Sequence, residues 1–468
     1  MKQRFDVISP VDGSVFLSME ESTPSQIARA LDSAQTAAKS WRSSSIQERI
    51  AAVEAFVLSL EKRGPEIAES LTMSMGRPSR YAPFEIAGTA ERARYMASIA
   101  EATLADIVPP KKAGFDRKIS REPLGVVLVL SPWNYPYLTA VNAVVPAILS
   151  GNTVILKHSD QTPLAAEHFK EAFTDAGLPE GVFQVLHMNH DATSQVLGDD
   201  CIDHVAFTGS VEGGVAITRA LARRNGRKRF IGSGLELGGK DGAYVRADAD
   251  LAQAAAGVVE GALFNSGQSC CGIERVYVHE SVADDFIDMA VTEARSYVLG
   301  DPRREDTTLG PMVRQRNADS VRAQITQALE SGAHPHIDAA SFSADRADSP
   351  YLAPQILSRV SHKMPIMTEE TFGPCVGIMR VKDDSEAIDL LNDSAFGLTA
   401  SIWSRDQDES QTLAAQIEAG TIFLNRCDYL DPALAWTGVK NSGRGTTLSS
   451  VGFENLTRPK SFHFRTEA

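Results

Sequence analysis

The chain is poor in cysteine and has no long hydrophobic run. Its five cysteines are an odd number without Cys-x-x-Cys spacing, which argues against a disulfide framework and against a zinc knuckle. The apolar run at residues 126–130 is far shorter than the roughly 20 residues that a membrane-spanning helix needs. The first twenty residues carry several charges and no apolar core, which argues against a secretory signal. We therefore expect a cytoplasmic protein without membrane attachment.

Positive charge is scarce relative to negative charge. The formal net charge is −14, and so acidic a chain is repelled by nucleic-acid phosphates unless it carries a local basic patch. Basic residues do cluster between Arg219 and Arg229, but no aromatic residue interleaves with them before Phe230. We interpret the cluster as a solvated helix end and expect no nucleic-acid partner. The ten histidines are scattered without a third ligand at a recognisable spacing, so we expect no metal site.

The distribution of apolar residues indicates alternating strands and helices. At roughly 150 residues per domain, 468 residues predict about three units. Residues 26–107 have the apolar periodicity of amphipathic helices. From Gly125 onward, short β-branched runs alternate with helical stretches, which is typical of a parallel sheet with crossover helices. The alternation resumes after Gly239-Lys240, so the fold class is α/β with two units in series.

A strand-like run that ends in a glycine turn is a candidate phosphate site. Residues 204–207 read as a strand, Gly209-Ser210 as the turn, and residues 211–221 as a helix. The N-terminus of such a helix offers unpaired N–H groups to a pyrophosphate, and Ser210 adds a hydroxyl. The glycines do not match the Gly-x-Gly-x-x-Gly pattern, so an ordinary strand–helix turn is an equal alternative.

Lys157 and Asp160 follow a second strand-like run, residues 153–156. Open α/β sheets bind ligands at the carboxyl ends of their strands. A carboxylate at this place accepts hydrogen bonds from adenosine ribose hydroxyls and repels a ribose 2′-phosphate. The alternative is a charged helix start, with Asp160 near the positive end of the helix dipole.

Cys270 is the candidate nucleophile, although a lone cysteine is more often a small buried apolar residue. No Gly-x-Ser-x-Gly turn occurs, which argues against a serine hydrolase of that type. Asn134 lies between two prolines directly after the run 126–130 and is a candidate donor to an oxyanion. Glu236 lies between apolar neighbours, where a carboxylate is costly, and is a candidate base for water. Together they predict oxidation of an aldehyde through a covalent thioester.

The motifs of the chain resemble those of the aldehyde dehydrogenase superfamily, of the NAD(P)-dependent type that releases a free acid. The resemblance extends over nearly the whole chain, and the order and spacing of the motifs are specific. The matching motifs are Pro132-Trp133-Asn134-Tyr135-Pro136, Lys157 to Pro163, Phe207-Thr208-Gly209-Ser210, Glu236-Leu237-Gly238-Gly239-Lys240, Gly267-Gln268-Ser269-Cys270, Glu369-Glu370-Thr371-Phe372-Gly373-Pro374 and Lys440-Asn441-Ser442-Gly443.

The resemblance implies a role for each matching residue. Cys270 would be the nucleophile that forms a thiohemiacetal and then a thioester, Glu236 the general base and Asn134 the oxyanion donor. NAD is expected as cofactor in preference to NADP. The implied cofactor-binding residues are Trp133, Lys157, Asp160, Gly209, Ser210, Glu370 and Phe372. The implied substrate-binding residues are Tyr135, Tyr137, Thr139, Ser269, Cys271 and Trp436.

The resemblance also implies a domain organisation. A Rossmann-like cofactor domain would comprise residues 1–113 and 126–238, and a catalytic α/β domain residues 239–441. A small bridging β element, residues 114–125 and 449–468, would drive assembly into a homodimer or homotetramer. Phe453, Phe462 and Phe464 in the tail are expected to pack on another subunit.

The chain departs from the family pattern at three places. Asp160 stands where glutamate is usual, and His158 where proline is usual. The run Trp436-Thr437-Gly438-Val439-Lys440 replaces Phe-Gly-Gly-x-Lys, which predicts a reshaped substrate entrance. These features resemble a branch near the lactaldehyde and succinate-semialdehyde dehydrogenases.

The expected substrate is a small or medium aldehyde, aliphatic or hydroxylated. Arg426 is either structural or a partner for a substrate carboxylate. Three other functions are alternatives: a coenzyme-A-acylating dehydrogenase, a catalytically silent binding or structural protein on the same fold, and a cysteine hydrolase without cofactor. The base Glu236 argues against the first, and the complete catalytic set argues against the second.

Overall fold

The computed structural model describes residues 3–466. Its helices are α1 (Pro24–Trp41), α2 (Ile46–Lys62), α3 (Gly64–Met75), α4 (Ala82–Leu104), α5 (Pro136–Leu149), α6 (Leu164–Asp175), α7 (His190–Gly198), α8 (Val211–Ala222), α9 (Leu251–Leu263), α10 (Ala283–Arg295), α11 (Gln315–Glu330), α12 (Pro365–Thr368), α13 (Asp384–Asn392) and α14 (Gln407–Ala414). Short 3₁₀ turns are Phe264–Gly267, Glu280–Val282, Ala339–Ser341 and Val451–Leu456.

The strands are β1 (Arg4–Ile8), β2 (Val15–Glu20), β3 (Phe115–Pro123), β4 (Val126–Ser131), β5 (Thr153–His158), β6 (Phe183–Val185), β7 (Ile202–Thr208), β8 (Gly232–Glu236), β9 (Asp241–Val245), β10 (Ile273–His279), β11 (His334–Pro335), β12 (Gln355–Ser358), β13 (Cys375–Val381), β14 (Phe396–Gly397), β15 (Thr399–Trp403), β16 (Thr421–Leu424), β17 (Val439–Lys440), β18 (Gly443–Arg444) and β19 (Thr457–Arg465). No helix within residues 3–466 is long and apolar enough to span a membrane.

The first two helices begin at well-formed caps. Thr23 and Ser45 cap α1 and α2, and each forms a reciprocal capping box with the residue three positions on, Gln26 or Glu48. These pairs satisfy backbone N–H groups that the first helical turn leaves without partners. The buried faces of α2 and α4 then pack with α5 in one hydrophobic core.

The first sheet has the strand order β18-β8-β7-β4-β5-β6. All its pairings are parallel except that of β18 with β8. Every residue of β4 is buried, because α5 and α6 cover one face of the sheet while α1, α7 and α8 cover the other. The register sets Leu130 opposite both Lys157 and Phe207, so the carboxyl ends of β4, β5 and β7 meet at one edge.

The second sheet has the strand order β11-β12-β13-β10-β9-β15-β16 and is parallel apart from β11. Helices α9 and α10 cover one face, and α11 to α14 lie in the core on the other face. The segment with Cys270 connects α9 to β10, a central strand. Two predominantly parallel sheets in series confirm the α/β fold class.

The tail consists mainly of a 3₁₀ turn and the strand β19, which pack in different places. Strands β3 and β19 pair antiparallel over nine residues, from Phe115 opposite Arg465 to Pro123 opposite Thr457. The 3₁₀ turn Val451–Leu456 instead packs against the core of the first sheet, where Phe453 is fully buried. The expectation that Phe453 packs on another subunit is therefore wrong, because its own subunit already encloses the ring. Phe464 is 56% exposed on β19.

Candidate active site

Cys270 and Glu236 line the same cavity, which has a volume of about 850 Å³. Cys270 comes from the loop before β10, and Glu236 is the last residue of β8. The other walls come from α4, α5, α9 and the segment around residues 425–436. The fold therefore brings together the end of a strand of the first sheet and a loop that leads into the second sheet.

The loop before Cys270 has an unusual backbone. Asn265, Ser266 and Gly267 have φ values of 53°, 57° and 67°, three consecutive residues in the left-handed region. At Gly267 a Cβ atom would lie 2.2 Å from the carbonyl oxygen of Gly373. Glycine is therefore required both by the backbone conformation and by the close approach of the segment that carries Glu370 and Phe372.

Asn134 holds this loop from the other side. Its Nδ2 donates to the carbonyl of Gln268 at 3.2 Å, two residues before Cys270. The carbonyl of Asn134 accepts from Arg77 Nη2 at 2.8 Å and from Asn265 Nδ2 at 3.1 Å. Arg77 is in turn paired with buried Glu85 on α4. The amide of Asn134 is thus fixed against the segment that presents the thiol.

Glu236 faces the cavity with its carboxylate held by two hydroxyl groups. Thr447 donates to one carboxylate oxygen, and Thr208 Oγ1 lies 3.4 Å from the other. Thr208 is the residue opposite Glu236 in the register of β7 and β8. Desolvation raises the pKa of Glu236, and the hydroxyl bonds and nearby Arg92 only partly offset this effect. A carboxyl group with a raised pKa is suited to general-base work near neutral pH.

A second buried thiol lies beside the candidate nucleophile. Cys271 Sγ and Ser269 Oγ both donate to Asp428 Oδ1 at 3.0 Å. The neighbouring Cys270 thiol, burial and Asp428 all raise the pKa of Cys271 well above its usual value. Cys271 therefore stays a protonated thiol, whereas Cys270 is partly exposed to the cavity.

Glu370, Phe372 and Trp133 are brought together at the other side of the Cys270 loop. Glu370 Oε1 accepts from the Gly239 N–H at 2.9 Å, and burial raises the pKa of Glu370 to about 8. Phe372 has a φ of 51° and packs edge to face against Trp133, with ring centroids 5.7 Å apart.

A buried ion pair supports the Glu370–Phe372 segment. Lys240 and Glu274 are 2.7 Å apart, and neither side chain is appreciably exposed. Glu274 accepts from the N–H groups of Thr371 and Phe372 at 2.8 and 2.7 Å. Both carboxylate oxygens of Glu274 are therefore occupied in holding this backbone, which accounts for a charge inside the core.

The edge of the first sheet has the groups that a dinucleotide needs. Ser210 caps α8, and its Oγ accepts from the Gly213 N–H at 3.1 Å. The first N–H groups of α8 remain available to a pyrophosphate. Lys157 is half-buried, and its Nζ has no hydrogen-bond acceptor within residues 3–466; Asp160 is exposed and lies 3.7 Å from Arg314. An ammonium without an acceptor beside an exposed carboxylate fits ribose hydroxyls.

The sequence matches the model of the aldehyde dehydrogenase family over residues 1–462. The chain belongs to this family. It is 34% identical over 456 residues to an aldehyde dehydrogenase of Paenarthrobacter nicotinovorans, and the match covers 97% of this chain and 98% of that protein. It is 33% identical over 449 residues to a succinate semialdehyde dehydrogenase of Escherichia coli whose name includes NAD(P)+, covering 96% and 95%.

Solved structures show the same relationship. The NAD-dependent aldehyde dehydrogenase from Sinorhizobium meliloti superposes with a TM-score of 0.94 at 32% identity, covering 100% of this chain and 92% of that one. The predicted aldehyde dehydrogenase fold is confirmed, and so is NAD(P)-dependent oxidation of an aldehyde as the activity. The coenzyme-A-acylating and catalytically silent alternatives are not favoured by these findings.

In this aldehyde dehydrogenase, five of the six predicted substrate residues line the cavity with Cys270. Tyr137 does not, and here the structure differs from the prediction. Its hydroxyl bonds to His168 Nδ1 at 2.6 Å, and its ring packs against Phe169 in the core. The helical period explains the difference, since Leu138 and Asn142 on α5 face the cavity while Tyr137 faces α6. The five residues are Tyr135, Thr139, Ser269, Cys271 and Trp436.

Several side chains at the site had no signal in the sequence. Thr447 lies 211 positions from the carboxylate it contacts, and Asp428 is separated from Ser269 by 159. Arg92 resembles any other charge on an amphipathic helix, yet it is buried in the wall of the cavity. Only the arrangement of the folded chain distinguishes these residues from ordinary surface groups.

Replacement of Gly267 by alanine is expected to destabilise the enzyme. The left-handed backbone alone costs an L-residue about 1–2 kcal/mol, and the contact with Gly373 adds to this. Chemical unfolding should therefore show a larger loss of unfolding free energy for Gly267→Ala than for Gly177→Ala. Gly177 has a φ of +72°, but a Cβ added there would meet no atom within 4 Å, so it controls for the backbone contribution. Equal losses for the two variants would contradict the close approach.

Proposed function

We propose that the enzyme oxidises its aldehyde through a covalent intermediate on Cys270. The observation that carries this proposal is that Cys270 and Glu236 line one cavity while Asn134 holds the loop that carries Cys270. The Cys270 thiolate, its proton already released to solvent, attacks the carbonyl carbon, and a C–S bond forms as the carbonyl oxygen becomes an alkoxide. The Asn134 amide and the Cys270 N–H stabilise that oxygen.

Glu236 acts in the second half of the reaction. Loss of hydride from the thiohemiacetal carbon leaves a thioester, and bound NAD(P)+ supplies the acceptor for that hydride. Glu236 then takes a proton from water, the hydroxide attacks the thioester carbon, and the C–S bond breaks to release the acid. The hydroxyls of Thr208 and Thr447 keep the carboxylate turned toward the cavity.

The proposed cofactor residues fit a dinucleotide along the edge of the first sheet. Lys157 and Asp160 would hold the adenosine ribose, Gly209 and Ser210 the pyrophosphate at α8, and Glu370 with Phe372 and Trp133 the nicotinamide riboside. We propose NAD as the preferred cofactor, because the Asp160 carboxylate repels a 2′-phosphate. Arg314, 3.7 Å from Asp160, reduces this repulsion without removing it.

A spectrophotometric assay tests both the reaction and the cofactor preference. With an aldehyde substrate, reduced nicotinamide and free acid should form together, and kcat/KM should be roughly tenfold higher for NAD+ than for NADP+. Asp160→Asn should narrow that ratio, whereas Asp306→Asn, an exposed carboxylate paired with Arg304, should not. Equal use of both cofactors by the unaltered enzyme would contradict the preference, and a failure to form acid would contradict the reaction.

We further propose that the first sheet with its helices is the cofactor domain and the second the catalytic domain. The β3–β19 ribbon, which projects the exposed ring of Phe464, would pair subunits in a homodimer or homotetramer. A cytoplasmic location is supported by the cysteines, since all five are free thiols within residues 3–466.

A further inference from the structure

Arg92 on α4 is a buried cation in the wall of the cavity that contains Cys270. The residue is 8% exposed and lines this cavity. Nη1 donates to the Leu138 carbonyl at 2.7 Å and lies 3.3 Å from Asn142 Oδ1. Within residues 3–466, Nε and Nη2 have no hydrogen-bond acceptor, and neither is enclosed by protein. Two adjacent donors on one edge of the guanidinium are therefore unpaired and accessible on a residue that lines the cavity.

The charge of Arg92 has no ion-pair partner in the part of the chain that the structure describes. The acidic groups that act on its charge are the cavity groups Cys271, Glu236 and Cys270 and the exposed Glu91, and the Glu236 carboxylate is already held by two hydroxyls. A buried cation without a partner is costly to the folded protein. A ligand that brings an anionic group into the cavity would supply the missing partner.

We propose that Arg92 binds the carboxylate of the substrate, so that the preferred aldehydes are short and carry a carboxylate at the far end. This inference rests on the proposed oxidation at Cys270. The Nε–Nη2 edge matches a carboxylate, whose two oxygens accept two parallel hydrogen bonds. Leu138 and Asn142 hold the guanidinium at the first two turns of α5, which begins just after Asn134. Cys270 and Arg92 line the same cavity, so one substrate bound there would meet both the thiol and the cation.

Arg426, the other arginine of this cavity, is less suited to the task. Its guanidinium stacks on Tyr429, 3.6 Å from the ring centroid, and the residue is exposed. Water screens the charge of an exposed cation, and the Arg426 guanidinium already has the Tyr429 ring as its partner. Of the two arginines, Arg92 is the buried one, and its Nε and Nη2 donors have no hydrogen-bond acceptor within residues 3–466.

The test compares two aldehydes of equal carbon number, 4-oxobutanoate and butanal. The unaltered enzyme should have the higher kcat/KM for 4-oxobutanoate. In Arg92→Met the ratio of the two kcat/KM values should fall roughly 10- to 100-fold, because charge-assisted hydrogen bonds are lost. Arg92→Lys keeps the positive charge but not the two parallel N–H donors of the guanidinium. It should therefore lose part of the preference for 4-oxobutanoate over butanal. Arg94→Met, on the exposed face of α4 and paired with Glu61, is the matched control and should keep the ratio.

A second readout does not depend on turnover of the carboxylated aldehyde. Succinate should inhibit butanal oxidation by the unaltered enzyme more strongly than butyrate does, and Arg92→Lys should weaken inhibition by succinate alone. This comparison remains decisive if Arg92→Met fails to fold.

Several outcomes would overturn the assignment. An unchanged ratio in both Arg92 variants would do so, as would loss of the preference in Arg426→Met alone or preference for a phosphorylated aldehyde. An equal fall for both aldehydes with a shifted pH profile of thiol labelling would show that Arg92 acts on Cys270 instead. In each case oxidation of butanal by the unaltered enzyme would leave the proposed function standing. Failure to oxidise either aldehyde would overturn the proposed function itself.

Discussion

Replacement of Cys270 by alanine is expected to abolish aldehyde oxidation, with kcat falling about 10⁴-fold or more. Without the sulfur no C–S bond forms, and the carbonyl carbon has no covalent route to the acid. Steady-state formation of reduced nicotinamide, followed in the presence of a saturating aldehyde, measures the loss. Mass spectrometry of the protein, quenched during turnover, should detect an acyl adduct on the unaltered enzyme and none on the variant.

Two other cysteines serve as comparisons for this result. Cys201 is buried on the face of the first sheet that α1, α7 and α8 cover, away from the cavity. The Cys201→Ala enzyme should therefore keep full aldehyde dehydrogenase activity. Cys271 is the informative neighbour, since its raised pKa keeps it protonated. Full turnover by Cys270→Ala together with an inactive Cys271→Ala would reverse the assignment of the nucleophile.

Replacement of Glu236 by glutamine is expected to separate the two halves of the reaction. Glutamine keeps the size of the side chain and one of its two acceptor oxygens but takes no proton from water. A rapid burst of one reduced nicotinamide per active site should remain, while the steady-state rate falls about 100-fold or more. Stopped-flow absorbance resolves both phases, and Glu180→Gln, an exposed carboxylate, controls for the loss of one charge.

The pH dependence provides a further check on Glu236. The base must be ionised to act, and burial raises its pKa, so ionisation is complete only at a higher pH than for an exposed glutamate. Turnover limited by hydrolysis of the thioester should therefore rise with pH through that pKa. Glu236→Gln should lose this rise. A first turnover slowed as much as the steady state would instead assign Glu236 to an earlier step.

The regular elements were predictable because their signals are local. Continuous β-branched runs such as β4 fill strands that are buried on both faces, and the carboxyl ends of parallel strands share an edge. Residues placed directly after such strands, including Asn134, Lys157 and Ser210, could therefore be assigned to one edge before any contact was known. Side-chain direction was less predictable, as Tyr137 shows, because it depends on which face of α5 is covered.

By itself, the sequence determined the order of strands and helices and the motifs that carry Cys270, Glu236 and Asn134. Each of these elements and motifs has its signal within a short stretch of consecutive residues. Only the tertiary structure decided that Thr447 contacts Glu236, that Asp428 accepts from Cys271, and that Arg92 faces the cavity. Such contacts join distant segments, and burial is what gives them their energetic weight. The unpaired charge of Arg92 can be recognised only in the folded chain, because the residues that surround it come from distant parts of the sequence.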